Sequence, residues 1–212
     1  MLSDASLRFA TEGVALVHNL ICGALTCVGD GTGPRYTPYH IPHRTEVMGF
    51  MTVLHGDDRF YNNIFVQKWP SDDIITMHDS DDGFDTENRA AGTWMFDEYP
   101  TYDEWISQFD FTKPADMMKL SGAHDGHLPV WIEGNAYLGG AKPSKKDVNA
   151  LISAVAREDV RVELVQKEDG YYLDTNVYEL IEGFKNRMID SDVLGKAFEP
   201  EERFENPDGT AI

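Results

Sequence analysis

Three stretches alternate apolar and polar positions and then break the alternation in the same way: VALVHNLICGA around Asn19, RFYNNIFVQK around Asn63 and PVWIEGNAYLGG around Asn135. Alternation with a period of two marks a strand with one buried face. In each stretch a polar pair ending in asparagine interrupts the strand, and an apolar triplet follows. Asparagine is a poor strand former, so its recurrence asks for a cause beyond propensity. If the three segments stack, identical amides at one corner hydrogen-bond from strand to strand at roughly 4.8 Å. The spacings of 44 and 72 residues are unequal, which fits coils carrying loops of different length and excludes a repeat of fixed length. The competing reading is three unrelated strands with chance asparagines.

The segments between these strands are irregular. GDGTGPRYTPYHIPHRTEVMGF carries three prolines and four glycines and reads as a loop. A longer acidic insertion, 71–127, contains DEYPTYDEWISQFDF, where Trp105, Ile106 and Phe109 fall at helical spacing behind Thr101 as N-cap and Glu104 at the capping-box position. Its DSDDG run matches a calcium loop only loosely, the glycine falling one place early. A plain acidic loop is the competing reading there. Beyond GGAKPSKKD, the run SKKDVNALISAVA suits a helix capped by Ser144, and VRVELVQKEDGYYLDTNVY reads as a hairpin turning at Asp169-Gly170. YELIEGFKNRM is compatible with strand or helix. Two regions follow: 1–143, stacked coils with inserted loops, and 144–212, a C-terminal helix plus β-hairpin. Both chain ends break off in apolar sequence, so the chain is expected to be a fragment of a longer enzyme.

Composition narrows the partners. With 212 residues and 42% hydrophobic content the chain can bury a core. Its 37 acidic against 18 basic residues give a net charge of −19, which argues against nucleic acid or an anionic membrane as partner. No run of 18 apolar residues occurs and the first ten residues lack a secretory layout, so a cytoplasmic address is the default expectation. Cys22 and Cys27 have no metal-type spacing and read as buried thiols. Oligomeric state is left open.

Candidate chemistry gathers where the coils meet the loops. Superposing Asn19 on Asn63 sets Glu12 opposite Gly56, beside Asp57 and Asp58, while Glu46 ends the long loop ahead of the second coil. Two carboxyls about 5 to 5.5 Å apart suit a retaining glycosidase, one ionised and nucleophilic, one protonated for the leaving oxygen, and their proximity splits their pKa values. The plainer reading is an Asp-rich turn with Arg59 paired to one carboxylate. His40 and His43, on a proline-stiffened loop without a third partner, read as substrate contacts or loop packing and not as metal ligands. Trp131 and Tyr137 either stack on a sugar or fill the core, with core favoured.

Four of these segments, ATEGVALVHNLICGAL, RYTPYHIPHRTEVMG, HGDDRFYNNIFV and LPVWIEGNAYLGGAKPSKKD, together resemble the C-terminal half of right-handed parallel β-helix proteins of the glycoside hydrolase family 120 β-xylosidase type, from about Leu2 through Lys146. The resemblance implies a mainly β fold: right-handed parallel β-helix coils with long loop insertions and a few short helices. In that family a β-sandwich accompanies the β-helix, and an aspartate nucleophile with a glutamate acid/base hydrolyses xylosides from the non-reducing end with retention. Glu46 best fits the acid/base. The family's nucleophile lies upstream of it, where this chain has Glu12, with Asp30 as a second option. Asp57 and Asp58 lie downstream and fit the pairing of acids drawn from the coil superposition better than the family order.

The sequence therefore leads to a β-xylosidase-type glycosidase acting on short xylo-oligosaccharides without a cofactor or metal. Its candidate catalytic residues are Glu46, Glu12, Asp57 and Asp58, with His40, His43 and Arg59 contacting the sugar. Two readings compete with it: a non-catalytic carbohydrate-binding or structural β-helix piece, and a β-helix polysaccharide lyase using calcium and a basic residue.

Overall fold

A computed structural model of the chain describes residues 2, 5–9, 12–27, 36–40, 47–52, 55–69, 90–108, 112, 127–187 and 189. Strand β1 (Ala5–Phe9) pairs in parallel with β4 (Ala24–Cys27). Strands β2 (Ala15–Val17), β7 (Asp58–Tyr61) and β9 (Val130–Glu133) make one parallel sheet, in that order. Strands β3 (Leu20–Ile21), β8 (Ile64–Val66), β10 (Ala136–Leu138) and β11 (Leu151–Ile152) make another. Each rung is thus a strand, a corner and a second strand. The segment between the first two rungs, read from its prolines and glycines as a loop, instead holds an antiparallel hairpin of β5 (Tyr36–His40) and β6 (Val47–Thr52).

The register places the asparagines where the superposition requires. Ala15 pairs with Arg59 and Leu20 with Ile64, while Ala136 pairs with Ile64 on its other side. At the corner one residue per rung turns the chain through a left-handed conformation: His18, Asn62, Gly134 and Asn149, with φ of 58°, 53°, 70° and 61°. The next residue supplies the amide. Asn63 Oδ1 accepts from the backbone N and the Nδ2 of Asn19 at 3.0 and 3.2 Å, and Asn135 Oδ1 accepts from the same two groups of Asn63 at 2.9 and 3.0 Å. The last amide donates to Asp147 Oδ2 at 3.0 Å. The amide-to-amide donations therefore run one way and end on a carboxylate, while the Nδ2 groups of Asn63 and Asn135 also donate back to Leu16 O and Phe60 O of the preceding rung at 2.9 Å each. Asn63 and Asn135 are about 1% and 0% exposed, a burial tolerable only because each amide is hydrogen-bonded this fully.

Inward-facing residues stack in columns beside the ladder. Leu16, Phe60 and Ile132 are register partners in one sheet, and Ile21, Phe65 and Tyr137 in the other. The Phe65 and Tyr137 rings stack at 5.3 Å with an interplanar angle of 9°. Tyr137 is core, as expected, with its hydroxyl between Thr93 Oγ1 and Asp147 Oδ2. Trp131 instead faces outward, half-buried. Cys22 is a buried free thiol; the Cys27 side chain and the DSDDG run lie outside the described residues.

Within the acidic insertion, α1 (Tyr102–Ile106) begins at the expected capping box: Thr101 Oγ1 accepts from Glu104 N, and the Glu104 carboxylate accepts from Thr101 N. The hairpin also forms as read, with β12 (Val162–Lys167) and β13 (Gly170–Thr175) joined across Glu168 and Asp169. The ambiguous run YELIEGFKNRM contributes a single helical turn, α2 (Val177–Leu180). The helix expected behind Ser144 does not form. That segment is a fourth rung, with Val148 bridged to Glu133 and β11 paired to β10. Ser144 is buried, and its hydroxyl donates to Asp97 Oδ1 at 2.8 Å and caps no helix. Parallel pairing outweighs the helical spacing of its apolar residues, since isolated helix propensity is worth only tenths of a kcal/mol per residue.

No helix among the described residues is long and apolar enough to cross a membrane.

Candidate active site

At the end of β2, β7 and β9 opposite the asparagine corner, the chain turns again. His55, Gly56 and Asp57 are consecutively left-handed, with φ of 59°, 95° and 55°. Gly56 is required there, because a Cβ would lie 2.3 Å from the Leu128 carbonyl oxygen, and its φ also disfavours any other residue. The turn is tied to both neighbouring rungs. Gly13 N donates to Gly56 O at 3.0 Å, Asp57 N donates to Pro129 O at 2.8 Å, and Glu12 forms a parallel bridge with Gly56.

This turn aims two successive carboxylates in different directions. Asp58 opens β7 facing inward and is 1% exposed. Its Oδ1 accepts from Val14 N at 2.9 Å. Burial pushes its carboxyl up to about 7, the Val14 N–H opposes the rise, and the Asp57 and Glu12 carboxylates add to it against the Arg59 guanidinium. Asp57 faces outward, its side chain 43% exposed, and Oδ1 accepts from Arg59 Nη1 at 2.9 Å. Arg59 also donates to the Asp57 carbonyl oxygen at 2.8 Å, and its guanidinium lies 4.3 Å over the Trp131 ring. That stacking follows from register, Arg59 and Trp131 being partners on β7 and β9.

Three of the acids named from sequence therefore belong to one rim: Glu12 exposed on the first rung, Asp57 exposed on the second and Asp58 sealed beneath. The rim thus sets two carboxylates that reach solvent over a third, Asp58, that burial makes harder to ionise. Arg59 sits with them, serving Asp57. Glu46 and His43 lie outside the described residues. His40 is placed by its backbone in β5, with its side chain outside them. Three rings near the rim had no role in the sequence reading. His127 stacks on Tyr99 at 4.0 Å, and His55, with a buried Nδ1 lacking a partner, lies 6.4 Å from the His127 ring. HGDD and DGH did contain both histidines, but only the pairing of rungs two and three brings them close.

No family model matches the chain, and no curated protein matches it. Among solved structures, that of XylC in complex with xylose matches at a TM-score of 0.63 and 27% identity, over 97% of this chain and 28% of the XylC chain. The chain thus spans little more than a quarter of that protein's length. It shares the mainly β, parallel-sheet fold of a segment of a protein that binds xylose.

Proposed function

We propose that the chain is the rim-bearing part of a β-xylosidase-type glycoside hydrolase, its rungs wound as a right-handed parallel β-helix of the family 120 kind. The observation that carries this reading is the likeness to XylC with xylose over nearly the whole chain at 27% identity. The carboxylate rim supplies matching chemistry. In the proposed retaining mechanism one ionised carboxylate attacks the anomeric carbon while a protonated carboxyl gives its proton to the leaving oxygen; the same carboxyl then activates water for the second step.

Glu46 is assigned as acid/base, with Glu12 or Asp57 as nucleophile, the two acids at the rim that reach solvent. Asp58, sealed from solvent, does not touch the sugar; its bond from Val14 N ties the turn that aims Asp57 to the neighbouring rung. His40, His43 and Arg59 are assigned to sugar hydroxyls, and the substrates are short xylo-oligosaccharides.

Release of nitrophenol from nitrophenyl β-xyloside tests the reading. Activity lost at least a hundredfold in Glu46→Gln and in one of Glu12→Gln and Asp57→Asn is the expected result. Turnover unaffected by all three substitutions rejects the rim. A second reading, a carbohydrate-binding piece without turnover, is favoured by the Arg59 clamp on Asp57 and by the chain's 28% share of XylC. Xylo-oligosaccharide binding without hydrolysis is its signature.

A further inference from the structure

A groove of about 340 Å³ runs beside the asparagine corner, at the far end of β7 from the acid rim. One wall is the outer corner column, and the other is a strap, residues 178–187, that follows β13. The strap is pinned across several rungs. Asn186 Nδ2 donates to Gly134 O at 2.6 Å, Asn149 Nδ2 donates to Asn186 Oδ1 at 2.5 Å, Asn62 Nδ2 donates to Arg187 O at 3.0 Å, and Arg187 forms a two-pronged ion pair with Glu133. These bonds are independent of the acid rim. The wall they fix is therefore a preformed feature and not a loose end lying over the sheet.

The lining has a definite chemistry. Leu20 and Ile64 contribute apolar floor, Phe184 and Tyr178 contribute rings, and His18 contributes an exposed imidazole. Tyr178 is 71% exposed, a large ring left at the groove wall where its own fold gains little from it. His18 occupies the left-handed corner position that Asn62, Gly134 and Asn149 hold in the other rungs. Histidine, like asparagine, is among the side chains that tolerate that conformation, so the corner presents an imidazole to the groove where the other rungs present an amide or no side chain. Charge in the groove is already balanced, because Glu133 neutralises Arg187, and the chain's net charge of −19 repels anions. The volume lies in the range of about 300–1,000 Å³ usual for small-molecule sites.

We propose that this groove is a second carbohydrate site, taking a neutral pyranose unit whose apolar face lies on Tyr178 while its hydroxyls bond His18. The choice of a sugar over another neutral ring rests on the function proposed above; the existence of the site does not. In a chain that hydrolyses xylo-oligosaccharides, such a site holds a distant part of a long substrate or a second molecule, and raises the local concentration of substrate at the rim.

Titration of the full chain with xylotriose, followed by ligand-observed NMR and calorimetry, tests this in four proteins: wild type, His18→Asn, Tyr178→Ala and Asp57→Asn. His18→Asn installs the residue that Asn62 carries at the same corner, and Tyr178 is largely in solvent, so both variants fold. Expected is a binding event that survives Asp57→Asn and weakens at least tenfold in His18→Asn and Tyr178→Ala. Unchanged affinity in both groove variants overturns the site, as does loss of all binding in Asp57→Asn or absence of any binding to xylotriose. Failure of nitrophenyl xyloside turnover with groove-dependent binding intact removes the hydrolase reading alone.

Discussion

The two ends of strands β2, β7 and β9 obey the same register and use it in opposite ways. At one end the rungs repeat themselves: Asn19, Asn63 and Asn135 occupy equivalent places, and the same amide-to-amide bond joins the first to the second and the second to the third. At the other end, equivalent places hold different residues, with Gly13, Asp57 and Pro129 at one level and Val14, Asp58 and Val130 at the next. Stacking rewards identity, because a ladder works only if each member presents the donor and acceptor its neighbour lacks. A site needs a particular constellation once. Repetition down a column therefore marks what holds the rungs together, and its interruption by charged residues marks what the rungs carry. The consequence is measurable: substitutions at the repeating end should act on stability and those at the varied end on function.

The largest stability effect is expected from Asn63→Ala. It removes the acceptor for two groups of Asn19 and the donor to Asn135 and to Leu16 O, all in a place about 1% exposed. Each buried group left without a partner costs about 1–3 kcal/mol. A loss of more than about 3 kcal/mol in urea unfolding is expected, and a loss under about 1 kcal/mol would mean the ladder is decorative.

Asp58→Asn comes next, and its sign depends on pH. Burial holds the Asp58 carboxyl near 7, above the ordinary 3.8, so the folded protein binds a proton that the unfolded chain releases across that window. The stability contributed by this uptake is complete below about pH 4 and is lost as pH rises through 7. An amide keeps an acceptor for Val14 N and carries no charge, so Asp58→Asn should be the more stable protein above pH 7, by on the order of 3 kcal/mol. The two proteins should converge below pH 4. A difference independent of pH contradicts the burial of an ionisable carboxyl there.

Much of this architecture was legible in the sequence, and the reason is the ladder. Asn19, Asn63 and Asn135 are conspicuous because they oppose strand propensity, and aligning them alone gives the register that sets Glu12 against Gly56. Thr101 and Glu104 were legible because a capping box is local. Ser144 misled for the same reason: its surroundings look like a helix start, yet Asp97 and Thr93 take its hydroxyl and its N–H, and neither lies near it in sequence. The fourth rung hid because its corner has Ala150 after Asn149 in place of the asparagine pair, with Asp147 from its own incoming strand accepting from Asn135. Arg59 on Trp131 depends on pairing across 72 residues; it follows once register is known and is invisible before.

Gly56→Ala tests the backbone beneath the rim. The added methyl meets the Leu128 carbonyl at 2.3 Å in a left-handed residue, so the turn must shift, at roughly 2 kcal/mol. Because this turn aims Asp57 and Asp58, the variant should lose xyloside turnover and stability together. With Asp58, Gly56 marks the buried base of the varied end, where the division between the two ends should blur.

Asp57→Asn is expected to have the smallest effect on stability and separates the two ends most sharply. The carboxylate is 43% exposed and bonds Arg59 on the same strand segment, and exposed ion pairs contribute about 0–1 kcal/mol. Arg59 keeps its bond to the Asp57 carbonyl oxygen and its seat on Trp131, so the guanidinium is not orphaned. Unfolding in urea should therefore change by under about 1 kcal/mol. If Asp57 is the nucleophile, turnover of nitrophenyl xyloside falls at least a hundredfold in the same protein; if Glu12 is, Glu12→Gln gives that loss and Asp57→Asn leaves a measurable rate with a raised KM. Stability falling as far in Asp57→Asn as in Asn63→Ala would mean that the varied end is scaffold after all, and that variation between rungs does not distinguish a site from its support.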